Sequence, residues 1–576
     1  MTAPESAVTK GDPAGGRQRV AVVTGGGGGI GAAIAEELGR SGAYVVTVDP
    51  LVSVDGAERL PAPEETTAGR IIAAGGSARA SSASVTDAPA LHELFAELVD
   101  EFGALDAVVN VAGITRPTSF TRGSEQDWRH VLSVHLDGYR NVLEAALPPM
   151  VEAGSGHILG VTSGSGWRAA DTGAYGCAKR AVASLTWQVG RCTPPGVVVN
   201  AMSPIAMTRM VTAALKRNRT TSPDSDTRPD AKPSGRKASS TGGLSLGSMP
   251  DPADLGPLAA HLVADGFSAG RGQVLFTAGT EMAVVEEPRL LEVIPSGDPD
   301  GLAGALEVAT TIALAPSEVV QQSSGGGNPR LGATFGPDGQ EATDLPDPVS
   351  RSCVVVSDGG ELPAAVAESI EVRGVKCRHV QIPDRGTSFE EATGLIGSSE
   401  PENGPDAVVL VAGSRNDVSP GVVSPQGWEG VLGDHVDIVE EVHSDAVWAR
   451  AVAGLSKGAD RPIRLVTLLD ATDAGGRSRA QASAQLARSS LGATDQRVAA
   501  FSVGVESAAA GVRAAAGETV AHLVCSREVL PLVGAELMIG DGTIGLRSHP
   551  RVGASVAFAG TSVPEWFDDV LGSIVR

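Results

Sequence analysis

The sequence predicts two tandem α/β domains, each built around a doubly wound parallel sheet. Short apolar runs alternate with helical stretches, and strands that are apolar on both faces are typical of parallel sheets covered by helices. One segment also recurs 300 positions along the chain, as DAVVNVAG at 106–113 and DAVVLVAG at 406–413. Because 576 residues are too many for one hydrophobic core, we interpret the recurrence as an internal duplication.

The elements of the first copy follow one another in a regular order. The predicted elements are a strand at 20–24, a helix at 29–42, a strand at 44–49, a helix at 90–103, a strand at 106–110, a helix at 252–265 and a strand at 273–277. This alternation predicts a Rossmann-type fold.

The predicted domain limits follow changes in composition. Residues 1–17 are polar and predict a disordered tail, and the first domain spans 18–287. Within it, residues 216–250 contain few apolar side chains and predict a flexible insert. Residues 288–350, rich in Gly, Pro and Ser, predict a linker, and the second domain spans 351–576.

The two copies differ in the residues that carry chemistry. The same offset of 300 aligns Ser124, Gln126, Trp128, Val131, Leu132, His135 and Asp137 with Ser424, Gln426, Trp428, Val431, Leu432, His435 and Asp437. The three tyrosines of the chain, Tyr44, Tyr139 and Tyr175, all lie in the first copy. Tyrosine-dependent chemistry is therefore expected in the first copy alone, and the second is expected to be degenerate.

Composition narrows the class of protein. A net charge of −23 argues against a nucleic-acid partner and favours a solvated acidic surface. The five cysteines show no CxxC spacing, which predicts a reducing compartment with no metal site and no disulfide framework. With no apolar leader, no membrane-spanning run and no Ser-Lys-Leu ending, a cytoplasmic location is expected.

The first motif is TGGGGGIG at 24–31, hereafter the glycine loop. Glycines allow a tight turn and close approach of a pyrophosphate, which is held at the positive end of a helix. A glycine run alone could be a flexible turn, but the strand before it and the helix after it favour nucleotide binding. The predicted contacts are Gly25, Gly29, Ile30 and Gly31.

The second motif is Asp49, which ends the next strand. A carboxylate there can accept hydrogen bonds from ribose hydroxyls and would repel a 2′-phosphate. The glycine loop contains no Arg or Lys to receive that phosphate, so NAD is predicted over NADP. The alternative is that Asp49 is a turn residue at the strand end.

The third motif combines Tyr175 and Lys179 with Ser163 upstream. Tyr and Lys four residues apart share a helix face, so the ammonium can lower the pKa of the phenol for general acid/base work. Ser163 would stabilise charge on the substrate oxygen. A surface helix pair is the alternative interpretation of this spacing alone.

Together these motifs resemble the short-chain dehydrogenase/reductase family over residues 18–287, including NVAG at 110–113 and VVVNAMSP at 197–204. The resemblance implies hydride transfer between NAD and an alcohol or ketone, and oligomerisation. It also implies that His135 completes the proton relay. The further cofactor contacts that it implies are Val85, Asn110, Ala112, Gly113, Tyr175, Lys179 and Thr208.

A narrower resemblance rests on GITRPTSFTR at 113–122, Asp127, Trp128 and Thr208. These residues look like the (3R)-hydroxyacyl-CoA dehydrogenase part, also classed as 17β-hydroxysteroid dehydrogenase, of multifunctional enzyme type 2. The resemblance implies a 3-hydroxyacyl-CoA or hydroxysteroid substrate, and a role in lipid metabolism. A 3-oxoacyl thioester ketoreductase is one alternative. An NAD-binding scaffold or sensor that recruits a partner through the second copy is another.

Some positions depart from the family pattern. His135 stands where the family has a catalytic asparagine, and its backbone carbonyl can still hold the relay water. The spacing from Ser163 to Tyr175 is one position shorter than is common in the family, so Ser165 and Thr162 remain lesser candidates. The insert at 216–250 lies near the family's substrate lid, and its Lys and Arg residues could meet CoA phosphates.

The second copy has lost both motifs. SDGGELP at 357–363 replaces the glycine loop, and its carboxylates would repel a pyrophosphate. RSRAQASAQ at 477–485 has neither Tyr nor Lys, so His435 is expected to be structural. We expect this copy to serve as a built-in partner, forming an intramolecular pseudo-dimer that could assemble further.

Overall fold

The computed structural model describes residues 17–61, 63–209, 211–212, 249–297, 299–312, 345, 347–382, 386–397, 404–412, 427–560 and 562–575. We refer to residues 17–312 as the first half and to residues 345–575 as the second half. The predictions for residues 1–16, for most of the insert at 216–250, and for Ser424 and Gln426 lie outside the described residues.

The first half forms a sheet with the order β3-β2-β1-β4-β5-β6-β7-β8. Its strands are β1 (Val20–Thr24), β2 (Tyr44–Val48), β3 (Ser77–Ser81), β4 (Ala107–Asn110), β5 (Gly156–Val161), β6 (Val197–Pro204), β7 (Val274–Ala278) and β8 (Glu281–Glu286). The strands are parallel as far as β7, and β8 returns antiparallel. The strand order reverses between β1 and β4, as in a doubly wound fold, so the predicted fold class is confirmed.

Helices cover both faces of this sheet. They are α1 (Gly29–Arg40), α2 (Thr67–Ala73), α3 (Ala88–Phe102), α4 (Glu125–Leu132), α5 (Gly138–Ala153), α6 (Gly173–Cys192) and α7 (Gly256–Leu262). A π-helical turn, Ser133–Asp137, joins α4 to α5. Most strands of this sheet are buried along almost their whole length because they are apolar on both faces, whereas the edge strand β3 is polar and partly exposed.

The second half repeats this arrangement as β11-β10-β12-β13-β14-β15-β16. Its strands are β10 (Ser352–Ser357), β11 (Lys376–Gln381), β12 (Ala407–Ala412), β13 (Ile463–Asp470), β14 (Val498–Val505), β15 (Glu536–Gly540) and β16 (Thr543–Arg547). Its helices are α9 (Glu361–Val372), α10 (Phe389–Gly397), α11 (Trp428–Asp434), α12 (Ile438–Ala459), α13 (Ala474–Arg488), α14 (Ser490–Ala493) and α15 (Ala510–Cys525). No helix in the described part of the chain is long and apolar enough to cross a membrane.

The two sheets also share a register. In the first sheet one cross-strand row consists of Asn110, Gly160, Ala201, Val274 and Val285. In the second sheet the row that starts 300 positions later consists of Leu410, Thr467, Ser502, Glu536 and Arg547. Positions in one half can therefore be matched to positions in the other by their strand pairing.

Each half gives its last strand to the other sheet. Strand β9 (Leu290–Pro295) follows β8 in the chain but pairs antiparallel with β16. Strand β17 (Arg551–Ala557) follows β16 but pairs antiparallel with β8. The exchange makes β17 and β9 the outer strands of the sheets they join and links the halves through backbone hydrogen bonds.

The helices that follow these strands are exchanged as well. In α8 (Pro299–Ile312), Thr310 Oγ1 lies 2.7 Å from His522 Nε2 of the second half. In α16 (Phe567–Ile574), Asp568 Oδ1 lies 2.7 Å from His261 Nε2 of the first half. The prediction of a linker over 288–350 is therefore wrong for residues 290–312. The second domain also does not run unbroken to the C-terminus, because residues 551–574 pack on the first sheet.

Helices α6 and α13 pack against each other where the halves meet. The fully buried Arg180 guanidinium crosses this junction and donates from Nη2 to Glu536 Oε2 at 2.8 Å. Its Nε donates to Gln481 Oε1 at 2.8 Å, and its Nη1 lies 3.0 Å from His549 Nδ1. Helix α6 is thus tied to the second half directly after Lys179.

Candidate active site

The glycine loop makes the tight turn that the sequence predicts. Gly25 and Gly29 have φ values of +67° and +56°, a region that favours glycine. A Cβ on Gly31 would lie 2.2 Å from the carbonyl oxygen of Gly25, so only hydrogen fits where α1 approaches the loop. Helix α1 begins at Gly29 without a side-chain cap, and Ile30 packs against the core beneath it. Its first N–H groups are available to an anion.

Asp49 lies directly beside this loop. Its Oδ2 accepts a hydrogen bond from the N–H of Gly27 at 2.9 Å, and its Oδ1 accepts one from the N–H of Leu51 at 2.8 Å. The two bonds fix the carboxylate at the end of β2. The structure therefore brings Asp49 and the glycine loop together.

A positive charge that sequence reasoning missed also reaches the loop. A Cβ built on Gly28 would lie 3.2 Å from Nη2 of Arg209, and one built on Gly29 would lie 4.0 Å from Cγ2 of Thr208. The segment after β6 thus returns over the glycine loop. The sequence of the glycine loop itself gives no indication of Arg209. Because Thr208 is a predicted cofactor contact, the neighbouring Arg209 could have been expected near the cofactor as well.

The end of β4 holds the loop from the other side. Thr24 Oγ1 donates to Asn110 Oδ1 at 2.6 Å and accepts from the N–H of Ala112 at 3.3 Å. Asn110 is 4% exposed, so its amide serves this link. The carbonyl of Val85, a predicted cofactor contact, accepts from Asn141 Nδ2 at 3.0 Å and already has a partner.

Ser163 acts on the phenol of Tyr175. Burial raises the pKa of the Tyr175 phenol above its usual value, and the Ser163 side chain acts in the opposite direction. Ser163 Oγ accepts from the N–H of Ser165 at 3.3 Å, while Thr162 Oγ1 donates to the carbonyl of Lys179 at 2.5 Å. Among the three hydroxyl candidates, Ser163 is the one that affects the pKa of the phenol.

Lys179 lies on the same face of α6 as Tyr175. Its Nζ is 5.8 Å from the centre of the Tyr175 ring and donates to the carbonyl of Val161 at 2.6 Å. The side chain is buried, and burial lowers the pKa of Lys179 to about 7. The amine can therefore change its protonation state near neutral pH.

His135 lies in the π-helical turn with its ring edge-on to Tyr175, the ring centres 5.1 Å apart. Its Nε2 is 2.7 Å from the carbonyl oxygen of Ile114, and a Cβ on Gly113 would lie 2.4 Å from its Cε1. Burial and the charge of Lys179 hold the pKa of His135 well below its usual value, so the imidazole is neutral. The side chain packs the loop that follows β4.

Comparison with known proteins identifies this arrangement. A family model described as short chain dehydrogenase matches residues 19–220. The short-chain reductase protein NovJ of Streptomyces niveus is 36% identical over 205 residues, which are 35% of this chain and 74% of that protein. This chain belongs to the short-chain dehydrogenase family. The family consists of oxidoreductases that bind a nicotinamide cofactor.

Other similar proteins include ketoreductases. The 3-oxoacyl-[acyl-carrier-protein] reductase FabG of Staphylococcus aureus (strain Mu50) is 36% identical over 197 residues, covering 34% of this chain and 77% of that protein. A solved structure of actinorhodin polyketide ketoreductase with NADPH is 25% identical, with a TM-score of 0.37 over 46% of this chain and 96% of that one. The sequence matches to short-chain dehydrogenases span about a third of the chain, in the first half.

The second half differs from a short-chain dehydrogenase site at each matching position. Arg464 pairs with Ala407 as His157 pairs with Ala107. Six residues further along each segment, Asp470 therefore occupies the position of Ser163. Ser478 Oγ lies 2.8 Å from His435 Nε2, and residues 477–485 of α13 contain neither Tyr nor Lys. Helix α9 begins at Glu361, an acidic residue in the turn where α1 offers its N–H groups.

Proposed function

We propose that the chain is an NAD-dependent oxidoreductase that interconverts a secondary alcohol and a ketone in its first half. The observation that carries this proposal is that Lys179 lies on the Tyr175 face of α6, its Nζ 5.8 Å from the ring centre, with Ser163 acting on the same phenol. A protein that only binds a dinucleotide does not need a phenol with a hydroxyl and a buried amine beside it. That argument disfavours the scaffold or sensor alternative.

The three side chains divide the acid/base work. Tyr175 takes the hydroxyl proton of the alcohol, or returns it to the ketone oxygen in the reverse direction. Lys179, when protonated, favours the phenolate form of Tyr175, and Ser163 donates to the substrate oxygen as charge develops there. Bound nicotinamide would accept or supply the hydride at the carbon that bears this oxygen.

The residues at the glycine loop fit a dinucleotide. The uncapped start of α1 and the guanidinium of Arg209 provide donors and positive charge for the pyrophosphate. Asp49, beside the glycine loop, would accept hydrogen bonds from the ribose hydroxyls, and its carboxylate disfavours a 2′-phosphate. Because Arg209 could instead attract that phosphate, the preference for NAD rests on Asp49 and is open to a direct test.

The substrate we propose is a 3-hydroxyacyl-CoA or a hydroxysteroid, as the narrower resemblance of residues 113–122 implies. The similarity to a 3-oxoacyl-carrier-protein reductase favours, as a second candidate, reduction of a 3-oxoacyl thioester. Acyl-CoA and acyl-carrier-protein substrates share a secondary alcohol or ketone two bonds from a thioester carbonyl. They differ in the carrier and in the physiological direction of hydride transfer.

The second half we propose to be a non-catalytic partner that holds the active-site loop. Gln485 Nε2 donates to the carbonyls of Ser165 at 3.1 Å and Arg168 at 2.8 Å. Arg488 Nη1 donates to the carbonyl of Trp167 at 2.7 Å. These three carbonyls follow Ser163 in the loop that leads to α6. A duplicated copy without a site of its own would be retained for such contacts.

The test is NADH formation with (3R)- and (3S)-hydroxyacyl-CoA and a hydroxysteroid, beside Tyr175→Phe. Turnover of one substrate, lowered by about 10²–10⁴-fold in the variant, would support the proposal and select the substrate class. Asp49→Ala should lower the ratio of kcat/KM with NAD to that with NADP. Absence of turnover in wild type with NAD still bound would instead support a scaffold.

A further inference from the structure

A cavity of about 430 Å³ lies between the C-terminal part of α6, helix α13 and the second sheet. Ser184, which lines it, is nine residues from Tyr175, or about 14 Å along the helix axis. The cavity is therefore separate from the candidate active site. Its volume falls in the range of small-molecule sites, roughly 300–1,000 Å³.

The matching space in the first half is filled. There the row of Ala201, Val274 and Val285 packs with Trp167 and Phe276 in one apolar cluster. In the second half, the corresponding row is polar, and Ser502, Glu536 and Arg547 all line the cavity. Trp167 lies in the active-site loop, and no loop of that length joins Asp470 to α13. The cavity thus results from a change of residues and a shortened loop, on a sheet of the same register.

The charges of the cavity leave one cation unmatched. Glu287 pairs with Arg191 at the exposed mouth, and Glu506 pairs with Arg547. Glu536 is held by Arg180. Arg477 is itself exposed; it donates only to Gln188 Oε1 at 3.1 Å and to the carbonyl of Thr472 at 3.2 Å, and no described carboxylate lies within 4.0 Å of it.

A second polar group also lines the cavity. Ser502 is 2% exposed and lines the cavity, so its hydroxyl can donate to or accept from a polar group of a ligand there. The remaining wall is apolar and includes Trp187, Leu537 and Met538.

We infer that this cavity binds a small organic carboxylate with a single negative charge, its carboxylate at Arg477 and its apolar body against Trp187 and Met538. One negative charge matches the guanidinium of Arg477, which has no carboxylate partner in the described part of the chain, and a dianion would face Glu506 and Glu287. The inference does not depend on the proposed oxidoreductase activity, because binding is measured without turnover.

The experiment is calorimetric titration of the full chain with hexanoate and with its uncharged analogue hexanamide. We expect saturable binding of one hexanoate, at least tenfold weaker binding of hexanamide, and at least tenfold weaker binding of hexanoate to Arg477→Gln. Ser502→Leu, which fills the cavity, should also abolish binding. Arg40→Gln, which changes an exposed arginine of α1, is the matched control and should bind as wild type does.

Ser163→Ala separates this cavity from the active site and should leave hexanoate binding unchanged. Equal affinity of wild type for hexanoate and hexanamide, equal affinity of Arg477→Gln and wild type, or loss of binding in Ser163→Ala would each overturn the inference. So would the absence of saturable hexanoate binding to wild type. The comparison of the two ligands needs no variant, so it decides the matter even if Arg477→Gln does not fold.

Discussion

The two halves share the order and register of their matching strands, although the described second sheet has no counterpart of β3, and they differ at positions that could carry chemistry. Asp470 stands in place of Ser163, and residues 477–485 of α13 include neither Tyr nor Lys. Strands β5 and β13, which lead to Ser163 and Asp470, are both mostly buried. The apolar pattern of strands and helices thus maintains the fold, while a few loop and helix residues determine the chemistry. The chemistry can therefore be lost while the fold is kept.

The largest expected effect is a loss of stability when the junction between the halves is broken. Arg180→Met removes the ion pair of the buried Glu536, which keeps a hydrogen bond from Gln481 and has Arg547 4.0 Å away, and should lower the free energy of unfolding by about 3–5 kcal/mol. Denaturant unfolding followed by circular dichroism measures this. Arg40→Met, at an exposed ion pair, should change it by less than about 0.5 kcal/mol. Similar values for the two variants would mean that Arg180 does not hold the halves together.

The next prediction compares matched positions in the two halves. Ser163→Ala removes the donor to the substrate oxygen and should lower kcat by about 10²–10³-fold. Asp470→Ala, at the same place in the second sheet, should change kcat by less than about twofold, because its contacts are to its own turn at Thr472. Steady-state kinetics measure both. A large loss in Asp470→Ala would show that the second half has a catalytic role.

Lys179 should make the stability of the chain depend on pH, which Ser478 of the second half cannot do because it does not ionise in this range. Burial lowers the pKa of Lys179 to about 7 in the folded chain, so the unfolded chain binds this proton more tightly between pH 7 and about 10. Stability from this group therefore rises with pH over that window, by up to about 1.4 kcal/mol per pH unit, and is lost as pH falls toward 7.

Lys179→Met should remove that part of the slope, as measured by denaturant unfolding at pH 8 and pH 9. Lys457→Met, on α12 of the second half, is the control and should keep the wild-type slope. An unchanged slope in Lys179→Met would mean that the buried amine is not neutral in the folded chain.

The smallest effect concerns the contacts between the second half and the active-site loop. Gln485→Ala removes two hydrogen bonds to that loop and should lower kcat by roughly three- to tenfold through misplacement of Ser163. The Kd for NAD should stay within about twofold, because the glycine loop is untouched. Gln496→Ala, at the surface of the same half, should alter neither quantity. Unchanged kcat in Gln485→Ala would argue that the second half acts only on stability.

Much of the fold could be predicted from the sequence because its strands are continuous apolar runs. The alternation from β1 to β4 and the repeat at 106–113 were sufficient for two parallel sheets. The exchange of β9 and β17 could not be predicted, since pairing between segments from opposite halves of the chain leaves no local signal. Leu290–Pro295 is also half exposed, and its neighbours have the composition of a linker.

The candidate site was predictable to a similar degree. Spacing along one helix was enough to join Tyr175 to Lys179, and the order of motifs added Ser163. Arg209 and Gln485 were missed, because each reaches the site from a distant part of the chain through its side chain alone. Contacts of that kind depend on packing between elements, which residue spacing does not encode.

The exchanged strands also constrain when the protein can be completed during synthesis. Strand β8 lacks its outer neighbour until β17 has left the ribosome, and β17 is made only after nearly all of the second half. At translation rates of about 5–20 residues per second, the delay is on the order of 10–60 s. For that interval the nascent first half has an open sheet edge and an uncovered patch where Phe567 and Leu571 will dock. A cell that makes this chain must protect that edge until β17 and α16 arrive.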